Sequence, residues 1–412
     1  MSAPPVPLLV VEDSPVYAEI LQRLLPTLGA DLRFEPKWVD TAEKAMAEIS
    51  LVNYALVLLD YKLPGADGLT VLAHIRSLPP TRQPAVIMLT GMGNEAVAVE
   101  AMKSGAKDYL PKDSLDVPSL LRAITSALER KRLEEQIARY TNELREKNAQ
   151  MEADLNMARE IQQAFLPQHY PTFPRDASVP ESALQFHHRY HPTGAVGGDF
   201  FDVLPISDTE AGVLICDVMG HGVRAALVTA MVRALADELL PVAAEPDRFL
   251  TEINLRLIAI LTQTRSPMFA SAFYLVIDLA RGEVRYSSAG HPSPLLVRRS
   301  AGVVELLQFP NSRPGPALGV FEESEYPLCR SALARHDLIV LYTDGLYEVE
   351  GATGEEYGPD RLLAAVRQWA DLPVNQLFDE LLADIQQYAG KQGFVDDVCI
   401  VGAEVVRVGS PE

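Results

Sequence analysis

From residue 126 to residue 165 the chain has no glycine and no proline and is dense in Glu, Arg, Lys and Gln. Nothing along that stretch would break a helix. Apolar residues recur seven apart at Ile137, Leu144, Met151, Ala158 and Phe165, and Leu133, Tyr140, Leu155 and Ile161 fill much of a second row. The three-four alternation slips near Asn148, so the spacing predicts a coiled coil with a stutter, Asn148 fixing its register. Two copies of the chain would then pair as a homodimer through 126–165. The other reading is a single helix packed on a neighbouring domain. Pro167, Pro171 and Pro174 close the segment. The expected division is a domain over 1–125, a helical linker over 126–165 and a second domain over 166–412.

The first domain alternates strand and helix five times. PLLVVED (7–13), 32–39, ALVLLD (55–60), AVIMLT (85–90) and 108–110 read as strands. The central ones are continuous apolar runs, as in a parallel sheet buried on both faces. Helices are expected over 15–28 (Ser14 as N-cap, Pro15 at the first position), 41–49, up to Ile75, over 94–104 and from Pro118. This is the pattern of a doubly wound α/β sheet, which places ligands at the carboxyl ends of its strands. Glu12, Asp13, Asp60 and Thr90 stand at such ends. Three carboxylates there can cage one magnesium ion, and one can serve as nucleophile toward a phosphoryl group. Lys112 is placed to bind phosphoryl oxygens and Thr90 to sense them.

These residues resemble the receiver domain of two-component response regulators over about 7–125. The resemblance implies Glu12 and Asp13 as the acid pair, Asp60 as phosphoacceptor, Thr90 as switch hydroxyl, Lys112 as the lysine and Tyr109 as switch aromatic. It also implies a sensor histidine kinase or phosphotransfer protein as phosphoryl source. In many receivers a proline follows the lysine; here Asp113 does.

Beyond 183 the pattern changes to strands joined by short turns, at 212–217, 271–279, 283–290, 294–299, 337–344 and 397–406. Helices are expected at 224–239, 246–262, 359–370 and 373–389. That suggests an α+β sandwich. GGDFFD (197–202), DVMGHG (217–222), YTDG (342–345) and VDD (395–397) supply Asp199, Asp217, Asp344, Asp396 and Asp397. Hydrolysis of a phosphate monoester needs a nucleophile at neutral pH and neutralised phosphoryl oxygens. Two divalent cations about 3.5–4 Å apart provide both, held mainly by carboxylates.

The set resembles the protein phosphatase 2C (PPM) family in its SpoIIE-like branch. AREIQQAFLP (158–167), AGHPSPLL (289–296) and GPALGV (315–320) add to the likeness. It implies two Mn2+ or Mg2+ ions bridged by Asp217. Asp199 and the Val218 carbonyl would complete one shell; Asp344 and Asp396 would hold the other ion, with Asp397 either supporting the ligands from behind or serving as an alternative ligand. His221 either protonates the leaving serine oxygen or caps a helix start. His291 reads as a turn residue and Asp202 as a cap, while His187, His188 and His191 read as surface or packing residues. GGDFF also resembles the GGDEF signature of diguanylate cyclases, but Phe200 stands where an acid is required and the later motifs have no place there.

A formal net charge of −20 argues against nucleic acid or an anionic membrane as the main partner. Cys216, Cys329 and Cys399 match no zinc or disulfide spacing, no apolar run suffices to span a membrane, and a cytoplasmic protein is expected. The reading is a response regulator whose Asp60 controls a metal-dependent serine/threonine phosphatase. The resemblance implies a phosphorylated, STAS-like anti-sigma-factor antagonist as substrate and partner switching as outcome. The rival is a catalytically silent phosphatase-like module that sequesters a signalling partner.

Overall fold

The computed structural model describes residues 5–28, 33–91, 95–263, 268–309, 313–391 and 393–409. The expected element starts at residues 32 and 94 lie outside them. The chain divides into two compact units, Met1–Ala149 and Gln150–Glu412.

In the first unit five strands form one sheet: β1 (Val6–Val11), β2 (Phe34–Val39), β3 (Leu56–Asp60), β4 (Ala85–Thr90) and β5 (Asp108–Pro111). Their order is β2-β1-β3-β4-β5, and every pairing is parallel. Helices α1 (Pro15–Leu24), α2 (Ala42–Leu51), α3 (Gly68–Ser77) and α4 (Glu95–Lys103) connect them. Strand β3 shows why the run is apolar throughout: Leu56 and Leu58 enter one core, Val57 and Leu59 the other. Thr41 and Asp67 cap α2 and α3 by accepting from Lys44 N and Thr70 N. Ser14 occupies the N-cap of α1, but its side chain makes no capping bond; its backbone N–H donates to Glu12 Oε1 at 3.1 Å.

Helix α5 runs unbroken from Val117 to Phe165. Leu133, Ile137, Tyr140, Leu144 and Met151 along it are each more than half exposed.

The second unit carries two five-stranded sheets. One is built from β7 (Asp199–Pro205), β8 (Glu210–Val218), β9 (Ala270–Asp278), β10 (Glu283–Ala289) and β13 (Cys329–Ala332), in the order β13-β10-β9-β8-β7. The other holds β6 (Leu184–His191), β11 (Leu295–Arg298), β12 (Val303–Leu306), β14 (Asp337–Tyr342) and β15 (Val398–Val405), in the order β12-β11-β14-β15-β6. All pairings are antiparallel. Phe201, Ile215 and Phe273 of the first sheet share a core with Ile339, Leu341 and Val401 of the second. Helices α6 (Val223–Glu238) and α7 (Pro246–Leu261) cover the first sheet, with Phe249 stacked on Tyr274 at 4.1 Å. Helices α8 (Gly358–Gln368) and α9 (Val374–Ala389) cover the second. In β14, Ile339 and Leu341 point between the sheets, while Leu338, Val340 and Tyr342 meet the helices. The expected α+β sandwich is therefore a helix–sheet–sheet–helix stack. Among the described residues no helix is long and apolar enough to cross a membrane.

Candidate functional site

Each unit carries its own acidic site. In the first, the parallel neighbours β1 and β3 end side by side, so Glu12 and Asp13 meet Asp60. These three carboxylates offer ligand atoms all within 4.8 Å of one another. Glu12 and Asp60 are buried, and Asp13 is open to solvent. Lys112, just beyond β5, reaches Asp60 Oδ2 at 2.7 Å and a Glu12 carboxylate oxygen at 2.8 Å. Its ammonium also lies 4.5 Å from the centre of the Tyr17 ring. Burial, with the Asp60 charge, pushes the Glu12 carboxyl up against the pull of Lys112. Burial disfavours the Lys112 ammonium, but its bonds to Asp60 and Glu12 outweigh that and raise its pKa. Three carboxylates against one ammonium leave excess negative charge, and an all-oxygen donor set of this kind fits magnesium. Thr90 is buried at the end of β4; Tyr109, on β5, is exposed.

In the second unit, β7 and β8 are antiparallel neighbours whose register sets Asp199 directly opposite Asp217. Asp344 follows β14, and Asp396 and Asp397 precede β15. Those two strands pair in the other sheet, so the second set of acids arrives across the sandwich. Thr343 joins the halves: its hydroxyl donates to Asp199 Oδ2 at 2.6 Å and accepts from Cys399 N at 2.9 Å. Burial, then repulsion from Asp217, pushes Asp199 well above the usual carboxylate range. Burial, then the charges of Asp344 and Asp396, raises Asp217 to about 7. Asp344 is raised by burial and Asp396, and Glu348 by burial and Asp344. Mutually repelling carboxylates are what bound cations would neutralise, and the oxygen donors suit magnesium or manganese.

The neighbouring backbone is closely packed. A Cβ on Gly198 would sit 2.7 Å from the Val218 carbonyl oxygen and 2.9 Å from that of Gly220, so those carbonyls crowd the GGD segment. On Gly197 a Cβ would meet Asp397 Oδ2 at 2.5 Å.

The adjacent aspartates have different surroundings. Asp397 is buried and accepts from Thr193 N, Thr193 Oγ1 and Gly198 N, the last at 2.6 Å. Asp396 is exposed and accepts from Asp397 N. His221 is exposed between Gly220 and Gly222, just before α6. His291 is a buried residue, bonded through Nδ1 to Ser271 Oγ at 2.7 Å. Burial pushes its imidazole down to about 3, so the ring is neutral. Asp202 is buried near Arg233. His188 packs between Tyr170 and Phe201.

Sequence reasoning missed Gln162. The last turn of α5 buries its side chain, which donates from Nε2 to Gly197 O at 2.7 Å and accepts at Oε1 from Gly197 N at 2.9 Å. Arg159 donates to the carbonyls of Gly194 and Ala195. Arg233 donates to the Phe165 carbonyl and lies over that ring. The end of the long helix therefore grips the segment that leads into Asp199. The motif AREIQQAFLP marked the region, but heptad spacing assigns a glutamine there no special part.

Comparisons with known proteins agree with this geometry. Residues 8–154 match the family described as Response regulator receiver domain, and residues 207–406 match Stage II sporulation protein E (SpoIIE). The chain thus joins a receiver domain to a SpoIIE, PP2C-type phosphatase domain. Among curated relatives, Phosphoserine phosphatase RsbP of Bacillus subtilis is 26% identical over 253 residues, 61% of this chain and 58% of the relative. Transcriptional regulatory protein AruR of Pseudomonas aeruginosa is 37% identical over 106 residues, 25% of this chain and 42% of the relative. The chain spans less than two thirds of the length of either. The SiaA-PP2C domain of Pseudomonas aeruginosa shares the fold of the second unit, with a TM-score of 0.53 and 24% identity over 63% of this chain and 98% of that one.

Proposed function

We propose that this chain is a metal-dependent protein-serine/threonine phosphatase whose activity is set by phosphorylation of Asp60. The observation that carries the reading is the pairing of Asp199 with Asp217 across β7 and β8, faced by Asp344 and Asp396 from the second sheet. Asp217 would be shared by two cations, with Asp199 and the Val218 carbonyl on one and Asp344 and Asp396 on the other. Asp397, its oxygens already occupied by Thr193 and Gly198, fastens the loop and is not a ligand. When bound, the cations supply an activated water and neutralise phosphoryl charge. His221, exposed beside this cluster in sequence, donates a proton to the departing seryl oxygen. Thr343 holds the Asp199 carboxylate in place, and Gln162 holds the backbone leading to it.

In the receiver, Asp60 takes the phosphoryl group from the phosphohistidine of a histidine kinase or phosphotransfer protein, breaking its P–N bond and releasing the histidine, while Lys112 binds the transferred oxygens; Glu12 and Asp13 would hold magnesium. Thr90 and Tyr109 report the phosphorylated state. The exposed apolar stripe of α5 pairs two copies of the chain. The substrate is a phosphoserine protein of the anti-sigma-factor-antagonist class, a proposal motivated by the likeness to RsbP.

The test is hydrolysis of a phosphoserine peptide with manganese, with manganese plus chelator, and with acetyl phosphate added to wild type and to Asp60→Asn. Turnover that needs the metal, and shifts with acetyl phosphate only when Asp60 is intact, is the expected result. Absence of turnover with either manganese or magnesium would move the assignment to a sequestering module.

Gln162→Ala would leave the Gly197 N–H and C=O without their buried partners, at roughly 1–3 kcal/mol each. We expect kcat to fall at least about tenfold as the approach to Asp199 loosens. Circular dichroism should show the fold retained. Wild-type kcat in this variant would remove Gln162 from any positioning role.

A further inference from the structure

A cavity of about 540 Å³ takes in the carboxylates and extends over side chains to which the reaction gives no part. Asp217 and Asp344 line one side of it; Met219, Phe269, Ala317 and Tyr347 are among the residues on the rest. Met219 and Phe269 are 40% and 39% exposed, and Val320 and Phe321 are exposed beyond them. Water-facing apolar side chains are common singly, but Met219 and Phe269 share the lining of one cavity with Asp217 and Asp344.

Their backbone is firmly anchored. Met219 N donates to Phe269 O at 3.0 Å, and Ala270 and Leu318 exchange both backbone hydrogen bonds. Asn254 is fully buried; its Oδ1 accepts from Gly319 N and its Nδ2 donates to Phe321 O, each at 2.8 Å. A buried amide spent on fixing a turn that displays Val320 and Phe321 gives a preformed apolar surface.

We propose that this surface is a specificity subsite for a bulky apolar side chain adjoining the phosphoserine of the substrate protein. The inference rests on the phosphatase reading, because the phosphate must lie at the Asp217 and Asp344 end of the same cavity. A chain bound there has its neighbouring residues only a few ångströms away, about 3.8 Å between successive Cα atoms, which brings Met219 and Phe269 of the same cavity within reach of their side chains. A leucine or phenylalanine gains contact and leaves water. An aspartate gains no such contact and keeps its water.

The experiment uses the full chain with manganese and fluorescent peptides bearing a non-hydrolysable phosphonate in place of phosphoserine. The residues on both sides of it are varied together as Leu, Ala or Asp. Anisotropy should show the Leu peptide binding about ten- to a hundredfold more tightly than either the Ala or the Asp peptide. In Phe269→Ala the Leu-to-Ala ratio should collapse toward one. Equal binding of the three peptides to the wild type overturns the subsite, whatever the variant does. Equal binding together with a Phe269→Ala shift in the monomer–dimer equilibrium would instead assign the face to a second copy. Turnover of phosphoserine peptides is measured in parallel, so loss of the catalytic reading and loss of the preference are seen separately.

Discussion

Asp217→Asn should abolish manganese-dependent phosphomonoester hydrolysis, by about a thousandfold or more in kcat. Asp217 stands opposite Asp199 in the β7–β8 register and feels the charges of Asp344 and Asp396. It is therefore the carboxylate placed between the acids of the two sheets. An asparagine keeps the shape and one carbonyl oxygen but loses the charge and the second anionic oxygen, so one group can no longer serve two cations. Removing the charge also relieves repulsion among Asp199, Asp344 and Glu348, so the variant should be as stable as the wild type without metal, or more stable. The paired measurement is kcat at saturating manganese and thermal melting in chelator. A variant with wild-type kcat would show that the metals are held without Asp217.

Metal-free protein should lose stability as pH rises from about 5 to 8, and manganese should restore it most at the upper end. Asp217 titrates near 7 in the fold, against about 3.9 for an unperturbed aspartate. Between those values the native state holds a proton that the unfolded chain has released, so stability falls with rising pH. The stability associated with this group is fully present below about pH 4 and is lost as pH climbs through 7. Three units correspond to about 4 kcal/mol as an upper bound, or on the order of 5–10 °C in the melting temperature of a domain this size. Asp199 and Asp344 are raised too and add in the same direction. Bound cations reverse the balance by favouring the charged carboxylates. Melting curves across that range, in chelator and in excess manganese, decide it. A flat profile in chelator, or the same slope in Asp217→Asn, would mean that these acids are not strained against one another.

The strands divide sharply by how well they could be read from sequence. Those anticipated in the second unit were β8, β9, β10, β11, β14 and β15, all interior to their sheets. Those missed, β6, β7, β12 and β13, are the four edges. An interior strand buried on both faces must be apolar throughout, and that shows in any window of sequence. An edge strand has one neighbour and tolerates polar residues, as in the histidines of β6 or Asp199 and Asp202 of β7. The GGDFFD motif was visible, but not that its aspartates lie on a strand.

The sequence by itself determined the chemistry available. It placed carboxylates at strand ends, put Lys112 behind a fifth short strand, and set a long uninterrupted helix between two differently patterned domains. These follow from local rules: strand periodicity, helix propensity and the affinity of carboxylates for hard cations. Only the tertiary structure gave Asp396 and Asp397 different surroundings, because the donors to Asp397 come from Thr193 and Gly198, about two hundred positions away. Only packing turned Gln162 from one polar residue of a helix into a buried clasp on Gly197, and His291 from a turn residue into a buried neighbour of the acidic cavity. Burial and hydrogen-bond partners are properties of residues brought together from distant segments, so no reading along the chain reaches them.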